Sequence, residues 1–115
     1  MSQTRHRPGT RQLRKSAPLF AALGDETRLV LLNRLGSGAR CSITSLTAGS
    51  PLSRQAITKH LRILEAAGLV RGVRQGRESL FEIEHDTLDE AIRFLERISA
   101  QWDQALARLK SFVEE

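Results

Sequence analysis

Apolar residues along this chain recur mainly at three- and four-residue spacing, the period of helices that bury one face. The most informative run is Pro51 to Ile83, PLSRQAITKHLRILEAAGLVRGVRQGRESLFEI. Ser53 is placed as an N-cap, and Ile57, Leu61 and Leu64 fall at i, i+4 and i+7, so a helix from Ser53 to Ala67 has one buried stripe. At 100° per residue Gln55, Thr58, Lys59 and Arg62 share the arc opposite that stripe, and Arg54 projects from the first turn. Gly68 closes the helix. Leu69 to Arg74 and Ser79 to Glu84 then read as two strands around Gln75-Gly76, with Val73, Phe81 and Ile83 on the inner face and Arg74 and Arg77 at the tip.

Three shorter elements precede this run. Pro18 is expected in the first turn of a helix that begins near Ser16, with Leu19, Phe20 and Leu23 as its apolar side and Gly24 as its stop. Asp25 caps a second helix reaching about Leu35, with Leu29, Leu32 and Leu35 inward and Gly36-Ser37-Gly38 at its end. A third spans about Ile43 to Ala48, before the Gly49-Ser50-Pro51 break.

From Asp86 a last helix runs almost to the end. Its apolar row is Leu88, Ile92, Leu95, Ser99, Trp102, Leu106, Leu109 and Val113, widened by Ala91, Ile98, Ala105 and Phe112. Such a helix extends roughly 40 Å, more than a domain this small covers by itself. Its far half is therefore expected to lie on a symmetry mate, with Leu19 and Phe20 of the first helix completing an interface made by Leu95, Ile98, Trp102, Leu106 and Leu109.

A chain of 115 residues is one domain with a core of moderate size. Four Phe, one Trp and no Tyr make that core aliphatic. No stretch is apolar for long enough to span a bilayer and no apolar signal region opens the chain, so a cytoplasmic protein is expected. A single cysteine excludes an intrachain disulfide.

Charge sharpens the picture through its distribution. Residues 1–15 carry +5, residues 16–39 are balanced, residues 40–77 carry +6 and residues 78–115 carry −6. A basic middle followed by an acidic end points to a polyanion partner for the middle alone. A helix with a basic outer face leading into a basic hairpin is also the order in which a winged helix-turn-helix meets duplex DNA.

The segments FAALGDETRLVLLNRL, ITSLT, LSRQAITKHLRILEAAGLV and GRESLFEI together resemble the ArsR-type winged-helix regulators over about residues 18 to 84. The expected fold is mainly α with a small β-hairpin: a winged helix-turn-helix of five helices and a two-stranded wing. The resemblance implies a homodimer whose fourth helix enters the major groove. By position it implies that Ser53, Arg54, Gln55, Thr58 and Lys59 face the groove, that Arg62 lies on nearby phosphate and that Arg74 and Arg77 serve the wing. From their chemistry, Arg54, Gln55 and Thr58 are the base readers, and Lys59, Arg62, Arg74 and Arg77 the phosphate counter-charges.

The chain departs from metal-sensing members of that family at Ser42 and Thr44, where those members carry paired thiolates, and hydroxyls do not replace thiolates for a soft ion. The last helix has no histidine; His85 stands alone just before it, and His60 lies beside the buried stripe as a packing and hydrogen-bonding residue. No metal site and no cofactor are expected. Cys41 next to Arg40 reads as a small hydrophobe, with redox sensing the alternative. Arg28 is open between an intrachain ion pair with Asp25 and a phosphate contact. Trp102 reads as a core or interface aromatic.

No catalytic constellation and no phosphate-cradling glycine loop is present, which excludes an enzyme. The expected organisation is a disordered basic arm over 1–15, a DNA-binding domain over 16–85 and a dimerisation helix over 86–115. The arm is open between a solvated tail and a segment that follows phosphates. The expected function is that of a sequence-specific DNA-binding repressor on a promoter operator in the form of an inverted repeat, its effector unassigned. A metal- or redox-responsive repressor using Cys41, or a winged-helix docking module, is the alternative; exposed apolar anchors would favour docking, and the basic Gln55 to Arg62 face argues against it.

Overall fold

Of the turn glycines named above, Gly38, Gly49, Gly68 and Gly76 take the left-handed backbone that favours glycine. The computed structural model describes residues 10–114, so the first nine residues of the expected arm lie outside the described residues. Helix α1 spans Thr10–Leu23, α2 Glu26–Leu35, α3 Ile43–Thr47, α4 Arg54–Ala66 and α5 His85–Glu114; strands β1 Cys41–Ser42, β2 Val70–Gln75 and β3 Glu78–Ile83 form an antiparallel sheet in the order β1-β3-β2.

Two expectations about α1 are corrected. It already includes Thr10, the first described residue, well before Ser16, and Pro18 sits inside it rather than in its first turn. Gln12, Leu13, Arg14 and Lys15 are good helix formers, and the helix continues through Pro18 although the ring removes the bond to the carbonyl four residues back and crowds it. Helix α2 is capped as expected, the Asp25 carboxylate accepting from the Arg28 N–H at 3.1 Å. Its inward face is Leu31 and Leu35, with Leu32 at the edge; Leu29, expected inside, is 50% exposed. Five apolar residues crowd this helix at 29–32 and 35, so spacing alone does not choose the face. Packing against α4 and β3 does.

The end of α4 shows why Gly68 stands there. Its N–H donates to the Glu65 carbonyl at 2.9 Å and that of Leu69 to the Leu64 carbonyl at 3.0 Å, a Schellman pair that needs a left-handed residue between helix and strand, and Gly68 has φ +79°. Leu69, delivered inward by this turn, is fully buried. The hairpin loop is Gly76-Arg77, one residue later than expected, because Gln75 already pairs with Glu78 and the positive φ falls on Gly76. The register also corrects the inner face: Val70 opposes Ile83 and Gly72 opposes Phe81, which puts Val73 and its partner Leu80 on the other side. β1 was not foreseen, since two residues carry no periodicity; Cys41 is half-buried opposite Phe81.

The core joins Leu31, Leu35, Leu46, Ile57, Leu61, Leu64, Leu69 and Phe81, all fully buried, with Leu19 and Ala22 from α1 and Ala91 from α5. Leu19, expected at an interface with another chain, is thus used inside its own. Phe20 is half-buried, its ring centroid 5.4 Å from that of Phe94, a core residue of α5 that the apolar row passed over. Ala91 and Phe94 tie the start of α5 into the core. Beyond them the helix runs free: Trp102, Leu106 and Leu109 are 64%, 56% and 58% exposed. The longest dimension of the described chain is accordingly 66 Å, against 30 and 21 Å in the other two.

Candidate nucleic-acid interface

The helix-turn-helix is assembled by hydroxyl caps and one arginine. Ser42 Oγ accepts from the Ser45 N–H at 3.0 Å to start α3, and Ser53 Oγ accepts from the Ala56 N–H at 3.1 Å to start α4. Both helices thereby satisfy an otherwise orphaned donor. Gly49, at φ +77°, turns the chain between them. Arg34 of α2 donates to the carbonyls of Leu46 at 2.7 Å and Ser45 at 2.8 Å, filling acceptors that the short α3 leaves open.

With Ile57, Leu61 and Leu64 against the core, Gln55, Lys59 and Arg62 are exposed on the far side of α4, as their spacing requires. Arg54 is exposed at the first position, its Nη1 donating to Thr44 Oγ1 at 2.8 Å. Thr58 is half-buried at the edge of this face, and its hydroxyl donates to the Arg54 carbonyl at 2.8 Å. Ser53 serves as cap, so its hydroxyl oxygen is already accepting a bond where a groove contact was expected of it.

The basic middle of the sequence is less uniformly basic in space. Arg71 lies opposite Glu82 in the β2–β3 register and pairs with it, and Arg40 reaches the same carboxylate at 2.7 Å. Hydrogen bonds first from Arg71 and then from Arg40 hold the Glu82 carboxyl below its ordinary range; the Glu82 bond in turn pushes Arg71 up. Glu84 adds a carboxylate 3.9 Å from Arg71. Arg62, expected on phosphate, is paired with Glu65 at 3.1 Å, an exposed contact of the kind that exchanges readily for another anion. The loop at Gly76-Arg77 is what places Arg71 opposite Glu82; the loop expected at Gln75-Gly76 would have put Leu80 there.

Within that basic middle, residues 40–77, four cations remain unneutralised by any carboxylate of the described residues: Arg54, Lys59, Arg74 and Arg77. Two come from α4 and two from the hairpin tip. Arg74 continues the row Val70, Gly72 along β2. That row faces α4: a Cβ on Gly72 would come within 3.1 Å of the Glu65 carboxylate and 3.5 Å of the Phe81 ring, so glycine lets wing and helix close together.

Arg28 and His60 hold the scaffold behind this face. Arg28 Nε donates to the Ala22 carbonyl at 2.7 Å and its Nη1 lies 3.2 Å from His60 Nδ1, so one side chain links the ends of α1 and α2 to α4. Its side chain is engaged within the chain, but through a carbonyl and an imidazole; the expected ion pair with Asp25 is not among the ion pairs of the described residues, Asp25 meeting Arg28 through the backbone N–H instead. Backbone donation from Arg28 is the chief reason the Asp25 carboxyl stays below its usual range. Cys41, Ser42 and Thr44 do not gather into a ligand set: among the described residues no three His, Cys, Asp or Glu side chains come together. His85 is exposed at the first position of α5.

Comparison with known proteins agrees with this geometry. A helix-turn-helix domain family matches residues 23–73. The solved structure of an ArsR-like transcriptional regulator from Rhodococcus sp. RHA1 is 44% identical, with a TM-score of 0.82 over 92% of this chain and 96% of that one. The chain belongs to the ArsR family of transcriptional regulators. The HTH-type regulator YuzN of Bacillus subtilis is 33% identical over 81 residues, 65% of this chain and 88% of that protein. The HTH-type transcriptional repressor SmtB of Mycobacterium tuberculosis is 34% identical over 65 residues, 56% of this chain and 47% of that one. As an ArsR-family regulator the protein is not an enzyme, and its helix-turn-helix is a DNA-binding domain. No helix among the described residues is long and apolar enough to cross a membrane.

Proposed function

We propose that this ArsR-family regulator is a homodimeric, sequence-specific repressor that works without a metal cofactor. The observation that carries the reading is the shared position of the unneutralised cations, on the outer face of α4 and at the tip of a hairpin packed beside it. α4 enters the major groove, where Arg54 and Gln55 meet base edges and Thr58 lies alongside; Lys59, Arg74 and Arg77, with Arg62 once released from Glu65, lie on phosphates. Such an allocation separates specificity from salt-dependent affinity.

Dimerisation is supported by the exposed row Leu95, Trp102, Leu106 and Leu109, with half-buried Ile98 beside it, which is too apolar to face water along most of a long helix. A two-fold dimer presents two copies of α4 and occupies an inverted repeat, blocking a promoter that contains it. That SmtB is named a repressor supports this direction of regulation. Metal independence is supported by Ser42 and Thr44, whose hydroxyls cap α3 and accept from Arg54.

Selecting duplexes from a randomised pool with the full chain tests the reading. The expected product is an inverted repeat with half-site centres about one helical turn apart. Two chains bind it, with equal affinity in chelator and in zinc. A pool without consensus removes sequence specificity, one chain on a single half-site removes the dimer, and release by zinc removes metal independence.

A further inference from the structure

Thr44, the second residue of α3, does something that its place in the sequence does not announce. Its exposed hydroxyl accepts from Arg54, the first residue of α4, across the helix-turn-helix at 2.8 Å. An exposed arginine ordinarily samples many rotamers and gives them up on binding, which subtracts from affinity and blurs which base edge the guanidinium meets. One bond from a planar fork of five donors narrows where the guanidinium sits and leaves the remaining donors free. The nature of the acceptor matters as well. A carboxylate at this position would orient the guanidinium but cancel its charge; a hydroxyl orients it and leaves the charge intact for a polyanion.

The neighbouring hydroxyls do not share this task. Ser53 Oγ accepts from the Ala56 N–H, and Thr58 Oγ1 donates to the Arg54 backbone carbonyl, so both shape the first turn of α4 without touching the guanidinium. Thr44 is itself carried on a helix whose end is held by Arg34 and whose start is capped by Ser42. The helix that carries the acceptor is thus tied at both ends.

We propose that Thr44 is a positioning residue for base readout, holding the Arg54 guanidinium in one orientation before DNA arrives. The inference rests on the reading that Arg54 contacts bases, and it goes further in placing part of the specificity on a side chain of α3.

The test uses the full chain and a duplex selected by the wild-type protein from a randomised pool. Affinity for that duplex, for its single-base-pair variants and for random DNA is measured at fixed salt for Thr44→Val, Thr44→Ser, Arg54→Ala and the Thr44→Val/Arg54→Ala double variant. Valine keeps the shape of threonine and removes the acceptor. Thr44→Val is expected to lose roughly three- to tenfold of the preference at the base pair that Arg54→Ala also relaxes. Thr44→Ser restores it, random-DNA affinity and thermal melting are unchanged, and Thr44→Val adds nothing once Arg54 is alanine. A Thr44→Val protein that keeps its preference overturns the proposal, as does one that weakens random DNA equally or adds its loss to that of Arg54→Ala, since Thr44 then touches DNA itself. If Arg54→Ala leaves every base preference unchanged, the base-reading role of Arg54 fails first and the inference with it.

Discussion

Helix α4 and the distal half of α5 are built on the same amphipathic pattern and end in opposite situations. In α4 the stripe Ile57, Leu61, Leu64 is wholly inside the chain, and its outward face is polar and basic. In α5 the row continuing through Trp102, Leu106 and Leu109 leaves the core after Phe94 and stands in solvent. An apolar stripe thus states that a face is covered and does not state by what. For α4 the cover is α2, α3 and the sheet; for the end of α5 it is the second chain proposed above.

The sharpest break of this comparison is a charge on the exposed row. Trp102→Glu or Leu106→Glu is expected to leave the helical content intact, convert the protein to monomer in sedimentation and weaken binding to the selected duplex by a hundredfold or more, on the order of the loss of one of two linked half-sites. A wild-type protein that sediments as a monomer at micromolar concentration removes the second chain from the account.

Truncating the buried stripe should act on stability instead. Leu61→Ala opens a cavity in the core that Leu61 shares with Leu31 and Leu64, and is expected to cost about 2–5 kcal/mol in thermal or denaturant unfolding. Leu109→Ala on the exposed row, measured at a concentration too low for association, should change unfolding little.

Within the basic face the expected effects are smaller and separable. Gln55→Ala should relax preference at one base pair of each half-site by about 1–3 kcal/mol. Arg77→Ala should instead weaken selected and random duplexes alike and flatten the dependence of log affinity on log salt by roughly one unit per half-site. The opposite pattern, Arg77→Ala altering the preferred sequence and Gln55→Ala not, reverses the two roles.

The smallest effect expected is at the Asp25 cap, behind the face. Backbone donation from Arg28 lowers its carboxyl, so the ionised form stabilises the fold at neutral pH, and that contribution is lost as pH falls through the lowered value. The Asp25→Asn variant keeps an accepting oxygen at the cap but has nothing there to titrate. Unfolding measured across the acid range should show the gap between wild type and variant at neutral pH narrowing as the carboxylate protonates. A constant gap would mean that the charge at this cap contributes nothing.

Much of this molecule was legible in one dimension because its devices are local. Caps at Asp25 and Ser53, the left-handed stop at Gly68 and the period of α4 each depend on residues a few positions apart, and each is where its spacing put it. The outward placement of Gln55, Lys59 and Arg62 follows from the same period. The inward side of α2, the face taken by Val73 and the strand at Cys41 were decided by distant partners. Apolar periodicity narrows a helix to a face only when the apolar residues are few, and strand register waits on the loop. Electrostatics divides in the same way. Net charge along the chain marks a basic middle, but only folding brings Glu82 between Arg40 and Arg71 and Glu65 beside Arg62, leaving Arg54, Lys59, Arg74 and Arg77 of that segment unneutralised by any described carboxylate. Composition counts charges along the chain, whereas a binding surface depends on which of them have already been paired in space, and that pairing is a property of the tertiary structure.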